Sequence, residues 1–186
     1  MLVALGACAA SPPARMFLLS PPHQLAVAAG GPTRGTIQLQ RVVAPDYLDV
    51  ESILVRGELH EVMPLPGVQW VERLSTGVTR ALNAMLAERL PEYALKPARP
   101  ADARALQIVV AIDSMDLLRD GRCLIGATWS ILEPGTGKVV RSGRFESVGE
   151  ARGTHVEADA AALVAAAAEA ITVLADELVH AVRSGG

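Results

Sequence analysis

The stretch Leu106–Ser147, LQIVVAIDSMDLLRDGRCLIGATWSILEPGTGKVVRSGRFES, decides the fold of this 186-residue chain. Leu106–Asp113 is apolar nearly throughout, as expected of a central strand covered on both faces. Asp120-Gly121 then turns the chain back. Beyond it Cys123, Ile125, Ala127, Trp129 and Ile131 fall at every second position, which puts them on one face of a second strand. Glu133-Pro-Gly-Thr-Gly137 supplies another turn, and Lys138–Ser147 a third strand. The three read as an antiparallel meander.

Outward from this meander the period changes twice. On the C-terminal side, Thr154-His-Val-Glu157 has the spacing of a capping box, and Leu163, Ala167, Ile171, Leu174, Leu178 and Val182 recur at helical spacing as far as Ser184-Gly-Gly186. On the N-terminal side, Trp70, Leu74, Val78, Leu82, Leu86 and Leu90 form a second apolar stripe that Pro91 terminates. Further upstream, Ser52–Arg56 and Glu58–Val62 predict two short strands pivoting at Gly57, with Pro64 and Pro66-Gly67 stopping the sheet pattern. Thr36–Val43 alternates Ile37 and Leu39 with Gln38 and Gln40, a strand with one wet face, and Arg15–Ser20 reads as a short buried strand. The expected fold is an α/β sandwich of two or three layers, a mostly antiparallel sheet carrying two long amphipathic helices.

Composition narrows the function classes. With 51% hydrophobic and 20% charged residues the chain can bury the core of one medium-sized domain. A net charge of −3, with Lys and Arg scattered, offers no electrostatic footprint for nucleic acid. The apolar run Ala160–Ala168 is well short of the roughly 20 residues of a spanning helix. Two cysteines, Cys8 and Cys123, make neither a disulfide framework nor a Cys-rich metal site.

No constellation for catalysis emerges either. Gly135-Thr-Gly-Lys138 lacks the upstream Gly and the following Ser or Thr of a phosphate loop. His23, His60, His155 and His180 have no partner at metal-ligand spacing, and Asp113, Asp116 and Asp120 depart from the spacing of a calcium loop. Ser142 lacks the Gly two residues before it that a nucleophile elbow needs. Cys123 shares the phase of Ile125 and Trp129, so it reads as an inert core thiol. The expectation is a non-enzyme without cofactor or metal.

At the N-terminus, Leu5-Gly-Ala-Cys8 resembles the lipobox at which bacterial lipoprotein signals are cut and the cysteine takes its diacylglyceryl group. Residues 1–7 are then the remnant of a signal peptide, 8–14 a small, Pro-containing tether, and 15–186 a single domain. Seven residues without a basic segment are short for a secretory signal, so this reading implies that the true start lies upstream of Met1. Acyl chains such as palmitate on Cys8 would anchor the protein at about 0.8 kcal/mol per buried methylene. The competing reading is a soluble ligand-binding or enzymatic α/β domain in which Cys8 is incidental.

Several blocks in order resemble the ABC-type transport auxiliary lipoproteins, the PqiC-like group that accompanies MCE-class lipid-trafficking proteins in Gram-negative envelopes. They are Met16–Ser20, Ala44–Asp49, Ile53–Arg56, Glu58-Leu-His60, Gln69–Leu74, Ala127-Thr-Trp129 and Gly143–Glu146. The resemblance implies an α/β domain lipid-anchored on the periplasmic side of the envelope, a role in envelope integrity, and partnership with an MCE-domain protein or ABC transporter components. It also leaves room for self-association. Ala9 after the cysteine leans toward the outer membrane by analogy with lipoprotein sorting. Tyr47, Arg56, Trp70 and Arg73 lie near turns or element starts and are the candidates for a partner interface, since aromatics and arginines supply interface anchors.

Overall fold

The computed structural model describes residues 13–19, 34–96, 104–150 and 159–184. Within them, eight strands and two helices follow in the order β1 (Arg15–Phe17), β2 (Gly35–Leu39), β3 (Ser52–Arg56), β4 (Val62–Trp70), α1 (Leu74–Arg89), β5 (Tyr93–Lys96), β6 (Leu106–Leu118), β7 (Arg122–Leu132), β8 (Val139–Glu150) and α2 (Ala160–Arg183). The Cys8 lipobox and the tether up to residue 12 lie outside the described residues, as does the Thr154–Glu157 box.

The predicted meander is present. β6 and β7 pair antiparallel around a turn at Gly121, whose φ of +89° suits glycine, and β7 and β8 pair antiparallel around Glu133–Lys138. The sheet as a whole is mixed, however, and not mostly antiparallel. Four of its seven pairings are parallel: β1 with β4, β2 with β5, β2 with β6, and β3 with β6. Only β3 with β4 joins the meander pairs in being antiparallel. The periodicity of a strand reports which of its faces is buried and carries no information on the direction of its neighbour, so the parallel pairings were invisible to it.

Both helices lie on one face. Alternate residues of β7 (Cys123, Ile125, Ala127, Trp129, Ile131) are buried beneath them, whereas Leu124, Thr128, Arg144, Glu146 and Val148 face solvent on the other side. The architecture is therefore two-layered, and β6 is covered by helices on one face only. β6 holds its buried phase through Ile108, Val110 and Ile112, then shifts to Met115 and Leu117. A bulge between Ile112 and Ser114 absorbs the extra residue.

Other elements depart from the sequence pattern for local reasons. Glu58–Glu61 is the β3–β4 turn, closed by the Gly57 amide donating to the Glu61 carbonyl at 2.9 Å, and the second strand begins only at Val62. That strand runs through Pro64 and Pro66-Gly67 because the register slips there: Leu54 faces Pro64 while Ser52 faces Gln69, so the chain between bulges out with Gly67 at φ +71°. Trp70 ends β4 instead of opening α1. β1 is an exposed edge strand, not a buried one, with only Leu19 behind it in the core. The supposed wet face of β2 is dry at Gln38, which is fully buried in a strand that pairs with β5 on one edge and β6 on the other. β5 had no counterpart in the sequence reading. α2 starts at Ala160, with the Asp159 carboxylate accepting from the Ala162 amide at 2.8 Å as its N-cap.

The core depends on close approach of α2 to the sheet. Ala166, Ala167 and Ala170 are fully buried, and a Cβ built on Gly149 of β8 would come within 2.1 Å of the Ala166 carbonyl oxygen and 2.9 Å of the Ala170 amide nitrogen. Backbone meets backbone there, and no side-chain rotation can make room. Gly143 is covered similarly by the Trp129 indole, 2.6 Å from a built Cβ. Cys123, fully buried on the same face, has its thiol pushed up to about 12 by burial and then by the nearby Asp116 carboxylate.

Two measurements check this packing. Gly149→Ala is expected to destabilise the domain by at least about 2 kcal/mol in urea unfolding, by forcing α2 off the sheet. A Cys8→Ala protein, leaving Cys123 as the one thiol, is expected to stay unalkylated by iodoacetamide at pH 8 while folded and to react fully once unfolded.

Candidate partner-docking surface

The connection from β2 to β3, residues 40–51, does not loop out into solvent but lies along the first turns of α1. The Arg41 guanidinium donates to the Ser75 and Thr76 hydroxyls at 3.3 and 3.1 Å, and the Val42 amide donates to the Thr79 hydroxyl at 2.9 Å. Arg73, at the N-cap position of α1, makes no side-chain cap bond. Asp49 caps the helix from the connection instead, its carboxylate accepting from the Ser75 amide at 2.9 Å, with the Arg73 guanidinium 3.8 Å away. The Trp70 amide donates to the Glu51 carbonyl at 2.7 Å, and the Val71 amide to the Phe17 carbonyl at 2.9 Å. The end of β1, the end of β4, the β2–β3 connection and the start of α1 are thereby bound into one surface.

Apolar side chains stand out on it. Leu18, Val43, Tyr47 and Val71 are exposed large hydrophobics, Tyr47 at 48% of its surface, beside the solvent-facing Arg41 and Arg73. Aromatic and aliphatic groups flanked by arginine are the composition of an interface core rather than of a solvated face. A second exposed apolar residue of a different kind caps the β3–β4 hairpin: Leu59, 94% exposed, at φ +49°, followed by His60 at φ +71°. Two successive non-glycine residues in the left-handed region cost about 1 kcal/mol or more each.

The four interface candidates separate accordingly. Tyr47 and Arg73 lie on this surface. Trp70 is 5% exposed, packed among Leu48, Leu74 and Met115, so it belongs to the core and offers a partner nothing directly. Arg56 is at the far end of β3, 3.5 Å from Asp116 of β6. Val43, Val71, Leu18 and Leu59 were not singled out in the sequence. An apolar residue placed between charged or Pro-containing neighbours, as Leu59 is between Glu58 and His60, was the signal available.

Asp49 is the electrostatic centre of the surface. Burial alone would raise its carboxyl, but hydrogen bonds from the Ser75 amide and hydroxyl, with the charges of Arg73 and Arg41, outweigh that and hold it below its ordinary 3.8.

The residues weighed for catalysis do not converge. Asp113 is exposed at the β6 bulge, Asp116 faces Arg56, and Asp120 is held by Arg122 at 2.7 Å. Gly135-Thr-Gly-Lys138 is the β7–β8 turn, with the Thr136 hydroxyl donating to Glu133 at 2.9 Å. Ser142 lies within β8 opposite Ser130. His60 sits in the hairpin turn and His180 near the end of α2, while His23 and His155 lie outside the described residues. Among the described residues no three His, Cys, Asp or Glu side chains gather to hold a metal, and no helix is long and apolar enough to cross a membrane.

Comparison with known proteins matches residues 17–179 to a family described as ABC-type transport auxiliary lipoprotein component. Among solved structures, an uncharacterized protein superposes with a TM-score of 0.74 at 13% identity, covering 92% of this chain and 99% of its own. Protein XCC0632 from Xanthomonas campestris superposes with a TM-score of 0.64 at 19% identity, covering 81% of this chain and 85% of its own. At these identities the likeness is one of fold. No curated protein matches the chain.

The lowered Asp49 carboxyl sets a direction for acid stability. Its contribution is fully present above the ordinary value of 3.8 and is lost as pH falls through the lower folded value. Asp49→Ala is expected to cost about 1 kcal/mol at pH 7, within the usual range for a helix cap, and to flatten the wild-type loss of stability below pH 4 in urea titrations run across that range.

Proposed function

The chain belongs to the family of ABC-type transport auxiliary lipoprotein components, and from that premise we propose that it is a non-catalytic accessory protein of an MCE-type system moving lipids or other hydrophobic compounds. In this reading Cys8 carries the lipid, the domain stands on the periplasmic side of a Gram-negative envelope, anchored in the outer membrane, and its work is placement. It holds a transport partner at a defined distance from the bilayer.

The observation that carries the proposal is the family match across residues 17–179, nearly the whole folded domain. Two features of the molecule support it. The first is reach: Arg15 of β1 is seven residues from Cys8, so an extended tether places the sheet edge at most about 25 Å from an acylated cysteine. The second is the surface around Tyr47 and Arg73, which includes the end of β1 and so stays close to where the tether enters. A partner docked there would be captured near the membrane that holds the anchor. The same surface would serve an MCE-domain protein or the ABC components, and a homo-oligomer would present several copies of it.

The test is expression with the native upstream DNA, followed by intact-mass analysis of the membrane fraction and crosslinking in the envelope. The expected outcome is a lipidated Cys8, loss of the protein from membranes in Cys8→Ala, and a crosslink to an MCE-domain protein reduced at least about fivefold in Tyr47→Asp and in Arg73→Glu. An unmodified cysteine in a soluble protein with no such crosslink would overturn the proposal in favour of a free ligand-binding domain.

A further inference from the structure

The β3–β4 hairpin ends in a closed knuckle. The Gly57 amide donates to the Glu61 carbonyl at 2.9 Å and the Glu61 amide to the Glu58 carbonyl at 3.0 Å. Leu59 and His60 stand at the apex between these bonds, at φ +49° and +71°, and Leu59 is almost wholly exposed. A lone exposed leucine needs no explanation by itself. This one is held out in water by left-handed backbone that glycine would adopt at lower cost.

Its place in the fold gives it a neighbour. β1 runs parallel to β4, with Arg15 beside Val68 and Phe17 beside Trp70. Back from Arg15 toward Cys8, the direction of β1 therefore points to Val62 and the hairpin tip. Val62 is six residues before Val68, at most about 20 Å of strand. The seven residues from Arg15 to Cys8 span at most about 25 Å. The two lengths match, so a tether laid out along the direction of β1 brings Cys8 level with Leu59. The surface around Tyr47 lies at the opposite end of β4 and is left open to a partner.

We infer that Leu59 dips into the headgroup layer of a zwitterionic, ethanolamine-rich lipid leaflet, as a second foot beside acyl chains on Cys8. The inference rests on the lipid anchor of the proposed function and adds to it the orientation of the domain. One leucine is too little to hold a domain at a bilayer, so the contact works only with the anchor in place. Charge decides the headgroup. Glu58 and Glu61 are exposed on either side of the apex. Their carboxylates are repelled by phosphatidylglycerol and attracted by the ammonium of phosphatidylethanolamine.

The experiment uses protein expressed with its native upstream DNA, checked for a lipidated Cys8 by intact mass, and reconstituted into vesicles of phosphatidylethanolamine and phosphatidylcholine. A nitrobenzoxadiazole probe is placed on the new thiol of Leu59→Cys or, at the opposite end of the sheet, of Val139→Cys. Cys123 is buried and stays unlabelled in the folded protein. Lipids with a doxyl group high on the acyl chain are expected to quench the first probe at least about threefold more than the second. A probe on His60→Cys should lose most of its quenching when Leu59→Gly is added, a change that relieves the backbone and leaves the urea midpoint no lower. Phosphatidylglycerol in place of part of the lipid should reduce the quenching. Equal quenching at the two ends, no loss in Leu59→Gly, or stronger quenching with phosphatidylglycerol would each overturn the inference. With Cys8 lipidated, those outcomes leave the anchor standing. An unmodified Cys8 removes the anchor, and the inference with it.

Discussion

Everything in this domain is organised by the length of β6. Its 13 residues form a strand more than twice as long as β2 or β3, with 5 residues each, so no single neighbour of ordinary length could satisfy the backbone on both of its edges. One edge is taken by β7 over nearly its whole length. The other is divided in sequence: β2 pairs with Leu106–Ile108, Val43 alone bridges Ala111, and β3 pairs with Leu117 and Leu118. The Gln40 amide donates to the Ile108 carbonyl at 2.8 Å, the Val43 amide to that of Val110 at 3.1 Å, and the Ile112 amide to the Val43 carbonyl at 2.8 Å. The connection between β2 and β3 is thus drawn along β6 as a third, irregular partner. That constraint presses residues 40–51 against the start of α1 and brings Asp49 to the Ser75 amide. The surface carrying Tyr47 follows from the need to cover a strand edge.

The second constraint is the distance between α2 and the sheet. A helix with Leu or Ile at every inward position would stand off by the usual 10 Å or so, and the strands beneath it would need large side chains to fill the gap. Here Ala166, Ala167 and Ala170 meet a glycine in β8, so this part of the helix sits on the strand backbone, while Leu163, Leu174 and Leu178 of α2 fill the core to either side. The scarcity of aromatic residues, 3% of the chain, belongs to the same solution, since small side chains on both surfaces leave no volume for rings. Of the few rings that are buried, Trp129 is accommodated because Gly143 lies directly across from it.

These two constraints also explain what could be read from the sequence. Where one face of an element is covered and the other is wet, the residue pattern carries that asymmetry, and β7 and α2 were legible residue by residue. β2 was misread because Gln38 is fully buried and has a partner, and a buried glutamine looks in sequence like a solvent-facing one. β4 was lost at Pro64 and Pro66 because a bulge tolerates what a regular ladder does not. In the candidate site, Tyr47 and Arg73 were selected by their places beside turns, and both are exposed. The same reasoning selected Trp70, since a large aromatic ring beside a turn has one sequence signature whether it points outward or inward. Asp49 could not be recognised as a cap, because it acts on a helix 26 residues further along the chain.

The placement of the exposed groups is not what folding alone would select. Leu59 could be glycine, which would relieve the left-handed backbone at the hairpin tip, and Tyr47 and Val71 could be polar without disturbing any buried neighbour. Each choice leaves apolar area in water at about 25 cal/mol per Å² of lost burial. Such residues persist where a partner covers them. Leu18, Tyr47 and Val71 gather where β1 and β4 end and α1 starts, whereas Leu59 stands apart at the β3–β4 turn, beyond the far end of β3. Under the function proposed above, that first group is the one placed to meet a partner near the tether, because it includes the end of β1.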